Sequence, residues 1–307
     1  MENITENLEK EEIKETNIPN IKHIVISGGG PAGFAFYGAL RELHINKYWS
    51  LENIETLHGI SIGSILIVFM CLGYDWGIFD DFIIKRPWHN LFRFNLLSIT
   101  NSFQKKGIFS KDLIKEVFTP LFKDKDLSID ITLKEFYEFS KKDIHIYATE
   151  LHTYTLIDFS HKTHPDWKLI DVIYCSCSIP GVFMPYLVDD CCYCDGGIIS
   201  NYPLRQCLES GAEPDSILGI KMVVDASKKS LITEESSIFD YMIGLLNKLL
   251  FKRLSPEDIN VDNIPNEIVI KYHQLSLYHS YELLNSHEKR MELIENGKAN
   301  VIQFLHN

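Results

Sequence analysis

A serine between two glycines is the first feature of this sequence that could carry out chemistry. Residues 59–63 read Gly-Ile-Ser-Ile-Gly, where an apolar strand-like stretch gives way to an apolar helix-like one. A sharp strand-to-helix turn exposes the serine hydroxyl, and Gly59 and Gly63 avoid a collision across the turn. Ser61 is therefore a candidate nucleophile, with an ordinary N-capping serine as the alternative.

A glycine-rich loop is the second such feature. Residues 28–33 read Gly-Gly-Gly-Pro-Ala-Gly, directly after an apolar stretch and at the start of a predicted helix. The backbone N–H groups of this loop can converge on an anion, supported by the positive end of the helix dipole. That anion is either the oxyanion of an acyl-transfer intermediate or a dinucleotide pyrophosphate, because Gly28, Gly30 and Gly33 also fit the Rossmann fingerprint.

The dinucleotide alternative, in which the loop binds FAD or NAD, makes a further demand. It requires an acidic residue at the end of the second strand, roughly 20 residues after the glycines. Glu52 and Glu55 are the candidates, but no clean buried strand ends at either of them. The next strand leads instead to Ser61, so this alternative explains one motif and leaves the others without a role.

An aspartate on a glycine turn is the third feature. Asp195 is followed by Gly196 and Gly197, after a stretch (186–194) that has the pattern of a short hairpin. Glycines allow such a turn to approach another backbone closely, so Asp195 could accept the Ser61 proton directly. A plain β-turn aspartate is the alternative.

These features need a sheet to bring them together. The stretches that precede the glycine loop and Ser61 are predicted strands, and a predicted helix follows each of them, which gives a β-α-β-α pattern. We therefore predict an α/β fold, a three-layer α/β/α sandwich with a central, mainly parallel sheet. The predicted strands are 23–27, 54–59, 144–148, 155–159 and 216–224, and the predicted helices are 34–43, 62–72, one that starts near Ser110, 236–253 and 280–305.

The domain organisation is predicted from the composition along the chain. Residues 1–20 carry six Glu and two Lys without a hydrophobic period, and we expect an acidic mobile tail there. Residues 21–307 are expected to form one domain, with a loop-rich aromatic cover at 73–101 and a helical C-terminal part at 226–307. The amphipathic helix 236–253 either packs on the core or serves as a lid or interfacial helix.

Composition and charge limit the class of protein. The chain has 307 residues, 45% of them hydrophobic, which excludes wholesale disorder. Lys and Arg total 30 against 42 Asp and Glu, and the net charge of −12 argues against a nucleic acid partner. The longest apolar run, 65–72, is too short for a membrane span, and the N-terminus does not resemble a signal peptide. Seven cysteines without a leader favour reduced thiols, so we expect a cytoplasmic protein that is at most peripheral at membranes.

Taken together, the motifs resemble those of the patatin-like phospholipases, a family of lipid acyl hydrolases with a Ser–Asp dyad. The resemblance runs from about Lys22 to Val224. It includes the three motifs above, the segment 176–183 (Ser-Cys-Ser-Ile-Pro-Gly-Val-Phe), which is similar to the family's Ser-Ile-Pro block, and Asn201-Tyr202-Pro203, which is similar to its Asn-x-Pro block. Several blocks in the same order are hard to obtain by accident.

The resemblance implies a role for each motif. Ser61 would attack the ester of a phospholipid at a membrane surface, and Asp195 would act as general base without a histidine. The N–H groups of Gly28, Gly29 and Gly30 would form the oxyanion hole, and neither a metal nor an organic cofactor would be needed. Supporting backbone roles fall to Gly33, Gly59, Gly63, Gly196 and Gly197.

Two positions depart from the family pattern. Ala32 stands where the family often has Arg or Lys, and Ser64 stands where it usually has a very small residue. A missing cation could weaken the support for negative charge in the glycine loop. A catalytically weak, lipid-binding relative is therefore the second alternative.

Histidines and cysteines offer weaker alternatives. A Ser-Asp-His triad with His273, His279 or His287 is disfavoured. In α/β-hydrolases several strands come before the strand that leads to the nucleophile, whereas here only one strand and one helix come before the strand that leads to Ser61. His58 is expected to be a packing or surface residue rather than a base. The cysteines at 175, 177, 191, 192 and 194 have the wrong spacing for a paired zinc site and are expected to be small buried residues.

Overall fold

The computed structural model describes residues 19–92, 104–224, 264–272 and 277–306, with single positions and short runs between 232 and 245. Of the predicted tail, only Pro19 and Asn20 belong to the described residues. Most of the predicted helix 236–253 lies outside them as well. A lid or interfacial role for that helix therefore stays a prediction.

A mainly parallel sheet forms the centre of the fold. The strands are β1 (His23–Ile26), β2 (Thr56–Ile60), β3 (Gly107–Phe109), β4 (Asp143–Glu150), β5 (Thr155–Phe159), β6 (Gly181–Phe183), β7 (Tyr186–Val188), β8 (Cys191–Asp195), β9 (Ile217–Val224) and β10 (Asn266–Tyr272). Eight of them form one sheet, in which seven follow the order β10-β9-β1-β2-β4-β8-β7 and β5 pairs with β4. β3 and β6 form a separate pair. The strands from β10 to β4 in that order are parallel, whereas β5, β7 and β8 pair antiparallel.

Helices cover both faces of this sheet. They are α1 (Gly33–Ile45), α2 (Ile62–Cys71), α3 (Trp76–Asp80), α4 (Asp112–Asp124), α5 (Leu133–Ser140), α6 (Leu169–Cys177), α7 (Leu204–Glu209), α8 (Leu277–Asn285) and α9 (His287–Leu305). The predicted α/β/α sandwich is thereby confirmed. Within the described part of the chain, no helix combines the length and the apolar character that crossing a bilayer requires.

Burial on both faces explains why β1 reads as a continuous apolar run. Ile24 and Ile26 belong to the large core, which α1, α2 and α6 share on one face of the sheet. Val25 belongs to the smaller core on the other face, together with Leu204 of α7 and Ile217 of β9. A strand covered on both sides has no polar face, so hydrophobic residues need not alternate with polar ones.

The central strand β4 brings the ends of two other strands together along one of its edges. β2 pairs with the first part of β4 and ends with Ile60 opposite Tyr147. β5 covers the opposite edge of the second part of β4. β8 therefore continues along the edge that β2 leaves, and it ends with Asp195 opposite Ala148. The carboxyl ends of β2 and β8 thus meet at adjacent residues of β4.

The C-terminal helix α9 packs on α1 through its backbone. A Cβ atom on Gly38 of α1 would collide with the carbonyl of Ile294, and one on Gly297 of α9 would collide with the carbonyl of Ala35. The two helices therefore approach each other more closely than larger side chains would allow. Because α1 follows the glycine loop, α9 supports the helix that carries this loop.

The structure corrects two local predictions and confirms a third. Where it is described, the stretch 73–101 is partly helical rather than loop-rich, since α3 and a π-helical turn (Asp81–Lys85) form there. The helix predicted to start near Ser110 is present and begins at Asp112. The single predicted C-terminal helix is two helices, because the side chain of Ser286 caps the start of α9.

Candidate active site

Ser61 occupies the tight turn between β2 and α2. Its backbone has φ 54° and ψ −123°, a conformation that residues other than glycine rarely adopt. A Cβ atom on Gly59 would lie 2.7 Å from the backbone of Gly63, so the turn needs glycine at this crossing. The carbonyl of Ser61 accepts from the N–H of Ser64 at 2.9 Å and from its hydroxyl at 2.6 Å. Ser64, the second departure from the family pattern, therefore helps to hold the turn.

Asp195 is fixed by three hydrogen bonds at the end of β8. Its Oδ1 accepts from the N–H of Gly197 at 2.8 Å, and its own N–H donates to the carbonyl of Ser178 at 3.0 Å. Its carbonyl accepts from the hydroxyl of Thr149 on β4 at 3.0 Å. The other carboxylate oxygen, Oδ2, is buried and has no hydrogen-bond partner among the residues that the structure describes. One oxygen is therefore anchored and the other remains available.

The hydroxyl of Ser61 and the carboxylate of Asp195 are electrostatic neighbours. Burial raises the pKa of Asp195 to about 6, and interactions with the Ser61 hydroxyl and the Gly197 N–H limit that rise. The Ser61 contact stabilises the carboxylate charge without meeting the geometry of a hydrogen bond to Oδ2. Catalytic hydrogen bonds are often loose before substrate binds, so this geometry is compatible with proton transfer.

A buried thiol lies next to this pair. The Sγ atom of Cys177, in the last turn of α6, is 3.8 Å from the hydroxyl of Ser64. Burial and the nearby Asp195 raise the pKa of Cys177, and the hydroxyls of Ser64 and Ser61 only partly offset this rise. The thiol is therefore protonated at neutral pH and is not a competing nucleophile.

The glycine loop lies directly against Ser61. A Cβ atom on Gly28 would be 3.4 Å from the Cβ of Ser61. The N–H of Gly28 donates to the carbonyl of Asn201 at 2.9 Å, and the Asn201 side chain returns a bond to the Gly28 carbonyl at 3.1 Å. The N–H groups of Gly29 and Gly30 have no acceptor in the described part of the chain. Of the three predicted oxyanion donors, Gly28 is thus engaged in holding the loop, and Gly29 and Gly30 have free N–H groups.

The remaining loop and motif positions lie where the backbone comes closest to its neighbours. Gly30 has φ 51°, which favours glycine, and the space beside its Cα is open. Ala32 is fully buried, so no charged side chain extends from that position. The other predicted glycines lie against neighbouring groups: Gly33 against the side chain of Ile62, Gly63 against the carbonyl of Ile26, Gly196 against the carbonyl of Tyr147 and Gly197 against the side chain of Asn201.

The residues that the alternatives require are not gathered at this site. Glu52 lies in a short 3-10 turn and Glu55 pairs with Lys22 at 2.9 Å; both precede β2, at the sheet edge away from the glycine loop. His58 is a buried packing residue with 1% exposure.

The other histidines and the cysteines form no second site within the residues that the structure describes. His287 is exposed at the start of α9, while His273 and the side chain of His279 lie outside the described residues. Across the described ranges, no group of three or more His, Cys, Asp or Glu side chains could hold a metal ion.

Sequence reasoning missed the residues that hold the site together. Asn201 and Ser176 enter the sequence analysis only as members of similar blocks, although Asn201 joins the glycine loop to the segment that follows Asp195. Thr149 does not enter it at all. Nothing in the sequence distinguishes the hydroxyls of Thr149 and Ser176 from others, because their partners are far away along the chain.

The fold and the site define an α/β protein that presents a serine on a strand-to-helix turn, beside a glycine-rich loop, at the carboxyl edge of a mainly parallel sheet. The chain belongs to the patatin-like phospholipase family, whose sequence model matches residues 24–208. The predicted resemblance is thereby confirmed.

Two viral relatives share this region. The chain is 28% identical over 191 residues to "Uncharacterized protein R571" of Acanthamoeba polyphaga mimivirus, across 62% of this chain and 63% of that protein. It is 30% identical over 185 residues to "Probable lipid hydrolase 463L" of Invertebrate iridescent virus 6, across 60% of this chain and 62% of that protein. The chain therefore spans less than two thirds of the length of these relatives.

A solved structure shares the fold. VipD from Legionella pneumophila superimposes with a TM-score of 0.56 at 15% identity, across 94% of this chain and 67% of VipD. At this level of identity the likeness concerns the fold alone.

Proposed function

We propose that this protein is a lipid acyl hydrolase of the phospholipase A type, with Ser61 as nucleophile and Asp195 as general base. The observation that carries the proposal is the meeting of β2 and β8 on one edge of β4, which sets a serine on a strained turn beside a buried carboxylate. Membership of the patatin-like family and the relative named a probable lipid hydrolase favour a lipid ester as substrate.

The proposed reaction has two steps. The Ser61 Oγ attacks the ester carbonyl while its proton passes to Oδ2 of Asp195, and the carbonyl oxygen takes the electron pair as an oxyanion. When the ester bond breaks, Asp195 returns the proton to the leaving alcohol, which is a lysophospholipid, and an acyl-serine remains. A water molecule then attacks the acyl-serine with Asp195 as base, which releases the fatty acid and restores Ser61.

Backbone groups would support the oxyanion. The N–H groups of Gly29 and Gly30 are the proposed donors, with the amino end of α1 behind them. One such donor is typically worth about 3 kcal/mol of the barrier. Since Ala32 brings no cation to this loop, we propose that stabilisation rests on these N–H groups and on the helix dipole.

The environment of Asp195 suits a general base. An exposed aspartate with a pKa near 4 is a weak base, whereas burial raises the pKa of Asp195 to about 6. Such a carboxyl is still mostly ionised at pH 7, and its pKa is closer to the pH at which it would work. The proposed dyad uses a carboxylate instead of a histidine as base, and burial makes this carboxylate a stronger base than an exposed one.

Hydrolysis of phosphatidylcholine vesicles tests the proposal. The released fatty acid and lysolipid are identified for the wild type, Ser61→Ala and Asp195→Asn. We expect both variants to lose roughly 1,000-fold or more in kcat, while their circular dichroism remains native. Two exposed residues outside the site provide matched controls, Ser128→Ala and Asp190→Asn, and both should retain wild-type activity.

A fluorophosphonate probe separates the alternatives. We expect it to label Ser61 of the wild type. Vesicle binding without labelling or turnover would instead indicate a catalytically weak lipid-binding protein. A purified protein that is yellow or that binds a dinucleotide would favour the dinucleotide alternative. Wild-type hydrolysis by Ser61→Ala or Asp195→Asn would refute the dyad.

A further inference from the structure

We propose that Ser176 is a positioning residue that holds the Ser61 turn at a fixed place on β4, an inference that rests on the proposed hydrolase function. Ser176 lies in the last turn of α6 and is fully buried. Its hydroxyl accepts from the backbone N–H of Ser61 at 2.9 Å and donates to the backbone carbonyl of Tyr147 at 2.7 Å. A single hydroxyl therefore joins the turn to the strand.

The Tyr147 carbonyl is the point at which both halves of the site meet β4. Tyr147 lies opposite Ile60, the last residue of β2, and the next residue, Ala148, lies opposite Asp195. The turn after Asp195 packs on the same carbonyl, since a Cβ atom on Gly196 would be 2.5 Å from it. The Ser176 bridge thus sets the position of the Ser61 turn relative to Asp195.

The Ser61 turn needs such support because its backbone conformation is unfavourable. Strained conformations of this kind persist only where several surrounding contacts fix them. The carbonyl of Ser61 is held by Ser64 and its N–H is held by Ser176, so both polar groups of the residue are fixed. The Ser61 N–H and the Tyr147 carbonyl are both buried, and each would lose the Ser176 hydroxyl as its hydrogen-bond partner if that hydroxyl were removed.

The Ser176 bridge also limits which groups can bind an oxyanion. The N–H of Ser61 points to Ser176 and is not free to act as a donor. Oxyanion support must therefore come from other N–H groups, which agrees with the assignment to Gly29 and Gly30. To restore a direct bond to Tyr147, at the usual N···O distance of about 2.9 Å, the Ser61 turn would have to move into the space of the lost hydroxyl and so leave its present position beside Asp195.

The test compares Ser176→Ala with the wild type in two assays. Vesicle hydrolysis gives kcat and KM, and the fluorophosphonate probe gives the rate of Ser61 labelling per folded molecule. Misplacement of a reacting group by about 1 Å can cost about 100-fold. We therefore expect kcat and the labelling rate to fall roughly 10- to 100-fold, with KM unchanged because substrate binding does not involve Ser176.

A buried serine elsewhere provides the matched control. Ser160 is also fully buried, and its hydroxyl accepts from the N–H of Thr163 at 3.2 Å, away from the Ser61 turn. Ser160→Ala should lower the thermal midpoint while leaving the labelling rate per folded molecule unchanged. If Ser176→Ala behaves in the same way, Ser176 has only a structural role and the proposal is wrong.

Two further results are decisive. If Ser176→Ala does not fold, Ser176→Cys is measured instead, because a thiol donates and accepts hydrogen bonds more weakly than a hydroxyl does. A labelling rate equal to that of the wild type would show that the bridge does not set the rate and would overturn the proposal. If the wild-type protein is neither labelled at Ser61 nor active on vesicles, the proposed function fails and this inference fails with it. An active wild type with an equally active Ser176→Ala variant refutes this inference alone.

Discussion

Asp195 carries a buried carboxylate, and its burial has a cost in folding free energy. Burial raises the pKa of this group from 3.8 to about 6. A shift of about 2 pK units corresponds to about 3 kcal/mol. The pKa of Asp195 is higher in the folded protein than in the unfolded chain. The protonated carboxyl therefore contributes to the free energy of unfolding below pH 3.8, and this contribution is lost as the pH rises through about 6.

Replacing this charge should stabilise the protein at neutral pH. In Asp195→Asn the amide oxygen can still accept from Gly197, and no charge is buried. We expect the free energy of unfolding at pH 7 to rise by up to about 3 kcal/mol, with the gain disappearing below about pH 4. Urea denaturation at both pH values measures this, with Asp190→Asn as the surface control. A variant less stable than the wild type at pH 7 would contradict the prediction.

The same pKa shift predicts the pH dependence of catalysis. If Asp195 is the general base, kcat/KM should fall tenfold per pH unit below about pH 6, because the protonated carboxyl cannot accept the Ser61 proton. Initial rates on a soluble short-chain ester between pH 4.5 and 8 would show this. An unchanged kcat/KM between pH 6 and 5 would exclude a base with this pKa.

At the residue scale, the sequence reveals functional candidates that lie on tight glycine-containing turns. It does not reveal residues in ordinary helices or loops whose partners are distant along the chain. Ser61 and Asp195 stand out in the sequence because glycines that a tight turn requires lie within two residues of each. Ser176 and Asn201 have no such signal, since their partners lie 115 and 173 residues away along the chain. Gly28 was predicted as an oxyanion donor, and only the structure shows that Asn201 engages its N–H.

At the scale of elements, β2 and β4 carry a stacked pair of histidines. The rings of His58 and His145 lie 4.6 Å apart and nearly parallel. His145 contacts Asp158 at 2.8 Å and Asp143 at 3.4 Å. Burial alone would lower the pKa of His145, but these two carboxylates raise it to about 9. Burial lowers the pKa of His58 well below its usual range, so His58 stays neutral beside a charged neighbour.

The charged His145 should make stability depend on pH. Its folded-state pKa is above the unfolded value of 6.5, so its contribution is fully present below pH 6.5 and is lost as the pH rises through about 9. That contribution is on the order of 3 kcal/mol. We expect the difference in unfolding free energy between the wild type and His145→Gln to shrink by this order between pH 6 and pH 9.5. A constant difference would show that His145 is neutral in the folded protein.

The crossing of α1 and α9 predicts a strong packing effect. In Gly297→Ala the new methyl group would meet the carbonyl of Ala35, which is backbone and cannot rotate away. Although alanine favours helix formation by about 1 kcal/mol, overpacking typically costs about 1–3 kcal/mol or more. We therefore expect a net loss of stability in thermal unfolding. The exposed neighbour Glu292→Ala is the control, and equal or higher stability of Gly297→Ala would contradict this packing.

The elements themselves were largely predictable, but one pairing was not. Apolar runs next to glycines indicated β1 and β2 and their helices, because parallel strands are buried on both faces. The hairpin of β7 and β8 was also predicted and is present. The pairing of β8 with β4 was the one that could not be predicted. β8 continues along the edge of β4 where β2 ends because β5 covers the other edge. No local sequence pattern carries that information.

At the scale of the whole molecule, the net charge of −12 predicts a preference among lipid surfaces. A protein with this charge is repelled by an anionic bilayer. Between roughly 10 and 150 mM salt the Debye length falls from about 30 to about 8 Å. We expect hydrolysis of phosphatidylglycerol vesicles to increase over this range, while hydrolysis of phosphatidylcholine vesicles changes little. A decrease with salt would show that a local basic patch dominates.

β1 pairs with β9, a strand that lies outside the part of the chain that the family model matches. The matched part alone therefore does not contain the whole sheet. The family match ends at residue 208, whereas β9 begins at Ile217 and pairs with β1 along one of its edges. Helix α9, which packs on α1, comes later still in the chain. A polypeptide trimmed to the matched stretch would lose β9 and leave β1, the strand that leads to the glycine loop, as an exposed sheet edge that is open to self-association. For anyone shortening this protein, β9 and α9 are part of the scaffold that supports the glycine loop rather than an appendage.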